Sequence, residues 1–303
     1  MSILAKLKAA TSLNDLAAIL GYKPSSLAYL LYVLPNASKY TTFSIPKKSG
    51  GTRTIQAPEA RLKTLQKHLA NALYACVNEI NRTYNRPSLS HGFKKGHSIV
   101  TNAKSHTARR YVLNFDLTDF FPSFNFGRVR GFFMANNDFK FNEKVATLIA
   151  QIAIHNNELP QGSPCSPVIA DLITHVLDVR LAQLAKTHRC MYSRYADDIT
   201  FSSNQKEFPL SIATSLVTPV WNLSEQLTKI VTKAGFAINS KKTRMHTSPG
   251  RQVVTGLSVN RKVNIQADYY RYARSMCNSL FRSGTYHKPS TLTEHTDSSQ
   301  LGY

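Results

Sequence analysis

Two neighbouring carboxylates, Asp197 and Asp198, follow Tyr195-Ala196 between two short alternating runs, residues 190–194 and 199–203. The pattern predicts a β-hairpin with both acids at its tip. Adjacent carboxylates repel, and the pKa of one rises unless a cation neutralises them. A hard dication such as Mg²⁺ suits this role, because it binds through one or two carboxylates plus substrate phosphates. A second apolar strand, residues 111–116, ends in a third carboxylate, Asp116. Asp116, Asp197 and Asp198 are therefore the expected holders of two metal ions for phosphoryl transfer.

Other residues could serve the same chemistry. Lys47, Lys48 and Arg53 cluster on an expected hairpin over residues 40–57. They could reach a triphosphate, or they could be an ordinary solvated turn. Leu159 to Pro167 contains three prolines, one glycine and small side chains. That composition predicts a narrow fixed loop opening a helix, able to offer backbone N–H groups to a ligand or to act as a plain cap. Phe120 and Phe121 follow Asp116 closely and suit a sugar pocket or the core. Asp119, an odd number of residues from Asp116, would face away in a continuing strand and is the weaker ligand. The loop His91-Gly92-Phe93-Lys94-Lys95-Gly96-His97 offers lysines to phosphate. Asn102 and His106, at helical spacing, read more readily as structural caps than as ligands.

These groups need rigid elements to hold them. Residues 11–34 predict two short amphipathic helices, the first N-capped by Ser12 and ended by Gly21. Their spacing loosely resembles a helix-turn-helix, although packing on a neighbour is the ordinary explanation. Apolar residues at helical spacing predict helices over 59–82, 142–155 and 166–186. A further helix is expected over 219–235, and a short strand at 236–243 running into a basic turn. Residues 251–259 and 262–265 should pair as a hairpin. Residues 267–282 predict a helix rich in Tyr and Arg, and 283–303 have no clear period.

The 303 residues carry 38 Lys and Arg against 17 Asp and Glu, a formal charge of +21. Such an excess points to a polyanionic partner, nucleic acid first. No apolar run approaches the length of a membrane span, and no signal peptide is evident. Four scattered cysteines form no Cys-x-x-Cys pair, which disfavours zinc and suits a reducing, cytoplasmic setting.

The order of the pieces is more specific than any one of them. The Asp116 strand is followed by Pro160-Gln161-Gly162-Ser163-Pro164, then by Tyr195-Ala196-Asp197-Asp198, Gly235-Phe236 and Asn239-Ser240-Lys241-Lys242-Thr243. Over roughly residues 40–265 this series resembles the fingers and palm of reverse transcriptases. Asn102-Ala103-Lys104-Ser105-His106 and Val254-Thr255-Gly256 resemble two elements of bacterial retron reverse transcriptases.

The resemblance implies an α+β right-hand polymerase fold. N-terminal helices and fingers would occupy 1–110. A catalytic palm, an antiparallel sheet with helices that carries part of the fingers, would occupy 111–250. A palm–thumb connection and a short or partial thumb would occupy 251–303. It implies RNA-directed DNA polymerisation with two Mg²⁺ ions, Mn²⁺ being a substitute, at Asp116, Asp197 and Asp198. Lys242 would donate a proton to pyrophosphate. Lys47, Lys48 and Arg53 would contact the triphosphate, Gln161 and Gly162 would line the nascent pair, and Phe121 would reject a ribose 2′-OH. Asn102, His106, Val254, Thr255 and Gly256 would contact RNA; apart from the resemblance, the Tyr- and Arg-rich segment offers Tyr269, Arg271 and Arg274 to stack on or grip RNA.

The implied partners are dNTPs, a cognate non-coding RNA acting as template and primer, its branched RNA–DNA product (msDNA), and an effector protein in anti-phage defence. No membrane partner is implied. Two alternatives remain: a group II intron-like or other palm-fold polymerase, and a non-catalytic RNA-binding module. Phe121 argues against RNA synthesis, and the full carboxylate set argues against a mere binder.

Overall fold

The computed structural model describes residues 1–46, 50–217 and 220–286. Lys47 and Lys48 lie outside the described residues.

The N-terminal region contains α1 (Ile3–Ala9), α2 (Leu13–Leu20), α3 (Pro24–Ala28) and α4 (Asn36–Lys39). Ser12 and Asp15 form a reciprocal capping box on α2, and Gly21 closes that helix in left-handed backbone at φ 75°. A π-helical turn, Tyr29–Val33, extends α3. Leu16, Ala17, Leu20, Leu27 and Leu30 are buried. The two helices predicted over 11–34 therefore pack on their neighbour. Among the described residues no single helix is long and apolar enough to cross a membrane.

The hairpin β1 (Tyr40–Pro46) and β2 (Thr52–Pro58) follows, then α5 (Ala60–Tyr84), whose leucine stripe enters the main core. α6 (Ile99–Lys104) precedes β3 (Tyr111–Thr118), and α7 (Phe126–Ala135), α8 (Glu143–Ala153) and α9 (Ser166–Thr187) come after it. β4 (Met191–Tyr195) and β5 (Asp198–Ser203) make the predicted carboxylate hairpin.

The C-terminal third departs from expectation. The helix predicted from 219 starts later, as α10 (Glu225–Lys233), N-capped by Ser224. The residues before it pair as β6 (Ala213–Val217) and β7 (Val220–Leu223). β-branched and aromatic residues here favour a strand, and the Ser224 cap fixes where the helix can begin. The strand and basic turn expected at 236–243 form one long strand, β8 (Ala237–Thr247). The chain does bulge at the predicted turn: β8 spends 240–243 where β3 spends Phe115 alone. The hairpin expected between 251–259 and 262–265 is smaller, β9 (Val253–Val254) with β10 (Leu257–Ser258). Thr255 and Gly256 turn it with φ of 46° and 81°, and Asn264 adds only a bridge to Ser258. α11 (Ala267–Ser283) buries no residue.

The central sheet is antiparallel, in the order β4-β5-β3-β8. Its two faces follow from the period-2 alternation of strands. Leu113, Phe115, Leu117, Ile199, Phe201 and Tyr192 join the main core with the helices. The opposite face carries Asp116, Asn114, Asp198, Thr200, Ser202 and Ser193. At its far end Val112 packs with Ala103 of α6 and with Val254, Leu257 and Val259.

Candidate active site

β3 and β5 run in a register that sets Asp116 opposite Asp198. Ala196 and Asp197 form the turn before β5, with Ala196 in left-handed backbone at φ 56°. The turn folds onto β3, where the Leu117 N–H donates to the Asp197 carbonyl at 3.1 Å. The three predicted carboxylates thus meet at one end of the polar face.

Burial, then a hydrogen bond and repulsion from Asp116, push the Asp198 carboxyl up to about 8. Asp197 is also raised, by burial first and then by Asp116, while Lys242 and Arg53 pull it back. A raised carboxylate cluster of this kind is what an oxygen-seeking dication relieves. Among the described residues no three His, Cys, Asp or Glu side chains form a ready-made metal cage.

Lys242 is ion-paired with Asp116 and is itself raised by that hydrogen bond. The bulge in β8 lets it reach across. Sequence reasoning assigned Lys242 to the leaving pyrophosphate; here its ammonium is the counter-charge of the carboxylates. Arg53, exposed on β2, is near enough for its charge to act on Asp197.

Gln161 and Gly162 pass against β2 of the β1–β2 hairpin. The Gln56 N–H donates to the Gln161 carbonyl at 2.9 Å. A Cβ on Gly162, which sits at φ 137°, would come within 2.6 Å of the Gln56 carbonyl oxygen. Only glycine permits that approach. Asp119, exposed at φ 45°, ends the strand before Phe120 and Phe121. Phe120 is buried, stacked on Phe236, while Phe121 is half-buried against the core.

The structure corrects several expected RNA contacts. Asn102, His106 and Val254 are wholly buried and present nothing to RNA. His106 bridges two strands, Nδ1 to the Ser202 hydroxyl at 2.7 Å and Nε2 to Ser193 at 2.7 Å. Ser193 donates to Asn102 at 2.6 Å. With its proton spent on Asn102, Ser193 must accept from Nε2–H, so Nδ1 accepts from Ser202. The pair closes the back of the polar face; both residues are structural, but as cross-strand links rather than the helix caps their spacing suggested, since Ser98 and Ser105 cap α6. Val254 anchors the small hairpin, which Asn114 also holds by donating to the Val253 carbonyl at 2.9 Å. Gly256, Tyr269, Arg271 and Arg274 are exposed and Thr255 is partly so. Lys94, expected to face phosphate, pairs with Asp171 at 3.1 Å instead.

Burial holds His106 down at about 3 and His91 at about 4. An unfolded histidine titrates near 6.5, so below that pH the unfolded chain binds more protons. The stability tied to these neutral rings is complete above about pH 6.5 and lost as pH falls toward their folded values. One such group costs about 1.4 kcal/mol by about pH 5.5. Thermal melts at the two pH values should show this loss, and His106→Gln should flatten it. An unchanged slope would remove His106 as a cause.

Two functional supports escaped the sequence reading. Arg194, fully buried, donates to Asp178 from Nε and Nη2 at 2.6 and 2.7 Å, to Asp171 at 2.9 Å, and to the Ala196 carbonyl at 2.9 Å. It ties the carboxylate turn to α9. Arg128 lies between the rings of Phe124 and Phe236, at 4.8 and 4.2 Å, and donates to the carbonyls of Ala234 and Gly235 at 2.7 and 2.9 Å. It fixes the start of the strand that carries Lys242. The arginine beside the tyrosine-aspartate motif was the only local signal, and nothing in the sequence distinguishes Arg128.

A four-stranded antiparallel sheet with helices behind it and carboxylates converging at one end defines a right-hand polymerase palm. The fold agrees with apo telomerase from Candida tropicalis, at TM-score 0.51 and 14% identity, over 79% of this chain and 50% of that one. Telomerase from Candida albicans in complex with a fragment of telomeric RNA gives TM-score 0.50 at 12% identity, over 75% of this chain and 46% of that one. Residues 45–272 match the family described as reverse transcriptase (RNA-dependent DNA polymerase). The retron Ec86 reverse transcriptase of Escherichia coli is 31% identical over 273 residues, covering 89% of this chain and 78% of that protein. The retron Mx65 enzyme of Myxococcus xanthus is 33% identical over 290 residues, covering 89% and 63%. Retron Mx162 reverse transcriptase of the same organism is 34% identical over 269 residues, covering 82% and 53%. The chain belongs to the reverse transcriptase family, and within it to the retron type. It spans less than two thirds of the two Myxococcus xanthus relatives.

Proposed function

We propose that this protein is an RNA-directed DNA polymerase that copies part of a cognate structured RNA into DNA. The observation that carries this reading is the register of β3 and β5, which sets Asp116 against Asp198 with Asp197 on the adjoining turn. These carboxylates would hold two Mg²⁺ ions, whose charge activates the primer hydroxyl and steadies the departing pyrophosphate. The protein supplies position and charge. Gln161 and Gly162 line the nascent base pair. Arg53, with Lys47 and Lys48, meets the triphosphate. Lys242, ion-paired with Asp116, would be the donor that protonates the departing pyrophosphate. Thr255, Gly256 and the exposed Tyr269, Arg271 and Arg274 face the RNA, supported by the net charge of +21.

We propose further that priming is from an RNA 2′-OH, that the product is a branched RNA–DNA, and that an effector protein couples synthesis to anti-phage defence. Sequencing the nucleic acid that copurifies with the active protein tests this. A DNA joined to an internal RNA 2′-OH supports it, and DNA with only a free 5′ end overturns it.

Phe121 is the sugar gate. Phe121→Val should lower the ratio of kcat/KM for dNTP over the matched rNTP by about tenfold or more. An unchanged ratio would remove Phe121 from that role.

A further inference from the structure

We propose, building on the reading of Phe121 as the gate, that Phe93 is its second wall and a positioning residue for sugar selection. Phe93 lies in the loop between α5 and α6, far from Phe121 in sequence. Their ring centroids stand 6.1 Å apart at 56°. Phe121 meets Phe120 on another side at 5.4 Å. The gate ring is thus held between a buried aromatic and one that is 38% exposed.

Three contacts place Phe93 there. Its backbone is left-handed, at φ 59°, a conformation an aromatic residue rarely adopts. Tyr74 donates its hydroxyl to the Phe93 carbonyl at 2.8 Å. The two residues before it lie on the catalytic hairpin. The His91 N–H donates to the Arg194 carbonyl at 2.8 Å, and a Cβ on Gly92 would come within 2.7 Å of the Ala196 nitrogen. One short loop therefore touches the carboxylate turn and the gate ring together. Non-glycine residues in such backbone persist where surrounding structure over-determines them, and they cluster at functional sites. The ring of Phe93 limits how far Phe121 can swing from an incoming ribose.

The test compares kcat and KM for dNTP and matched rNTP on a primed RNA template. Phe93→Gly removes the ring and suits the left-handed backbone, so the loop keeps its path. Phe93→Leu keeps bulk and serves as the conservative variant. The expected result for Phe93→Gly is a loss of discrimination of about tenfold. It should arise from a lower KM for rNTP, with kcat for dNTP within about twofold of wild type. Phe93→Leu should recover most of the ratio. The double variant with Phe121→Val should discriminate no worse than Phe121→Val alone, because Phe93 acts through that ring. If Phe121→Val loses discrimination while Phe93→Gly retains it, the proposal is overturned and the gate stands. If Phe121→Val itself retains discrimination, the gate reading has failed, and the proposal with it. Equal losses for dNTP and rNTP in Phe93→Gly would mark a merely structural loop residue and also overturn it.

Discussion

Asp197→Asn and Asp198→Asn should each lower polymerisation at least about 100-fold while leaving RNA affinity within about twofold. The contrast comes from where each charge acts. On the proposed function the carboxylates would gather cations that stabilise charge developing in the transition state, and losing one such element costs about 10²–10³ in rate. With a formal charge of +21, RNA affinity is expected to come from many phosphate contacts rather than from the carboxylates. A variant keeping more than about a tenth of the rate, a barrier change of about 1.4 kcal/mol, would contradict the assignment.

Asp198→Asn carries a second signature. The folded carboxyl titrates at about 8, against 3.8 for an ordinary aspartate. Between those values the metal-free folded state holds more protons than the unfolded chain, so this group makes stability fall as pH rises. Asparagine cannot ionise. The metal-free variant should be at least as stable as wild type at about pH 8, and less dependent on pH from about 5 to 8. A destabilised variant at high pH would show that Asp198 serves folding rather than metal binding.

The second large effect lies at Arg194. Arg194→Met should destabilise the fold by about 3–5 kcal/mol, the usual cost of leaving a buried partner charge uncompensated. Asp178 would lose its counter-charge and keep only the Tyr192 hydroxyl at 2.7 Å, while Lys94 still holds Asp171 at 3.1 Å. Burial opposes charge on the guanidinium, but Asp178 and Asp171 outweigh it and raise its pKa. Arg194→Lys keeps the charge but not the fork that reaches Asp178 twice and the Ala196 carbonyl once. It should fold better than Arg194→Met yet still polymerise slowly, because the turn loses a donor. Urea unfolding with single-turnover kinetics checks both. A cost under about 1 kcal/mol for Arg194→Met would mean that the network does not clamp the turn.

The sequence was most legible where local pattern and chemistry coincide. Alternation around Asp197-Asp198 and the apolar run ending at Asp116 foretold two strands, and carboxylate chemistry foretold their meeting. The long helices were plain from leucine spacing. Contacts made across the chain were not. Nothing near Asn102 or His106 says that their partners are Ser193 and Ser202, nor that Arg128 will cap α10. The β8 bulge read as a turn because Lys241-Lys242 is polar, and its function of carrying Lys242 to Asp116 depends on β3. Residues 219–224 read as helix because apolar spacing in so short a stretch does not separate the two periods.

The central claim is tested most directly by primer extension. Purified protein, a primed RNA template, Mg²⁺ and either dNTPs or rNTPs suffice, with Asp197→Asn/Asp198→Asn as the control. Template-directed extension with dNTPs is expected, with little from rNTPs and none in the control. Extension that survives the double substitution, or that proceeds equally with rNTPs, would contradict it.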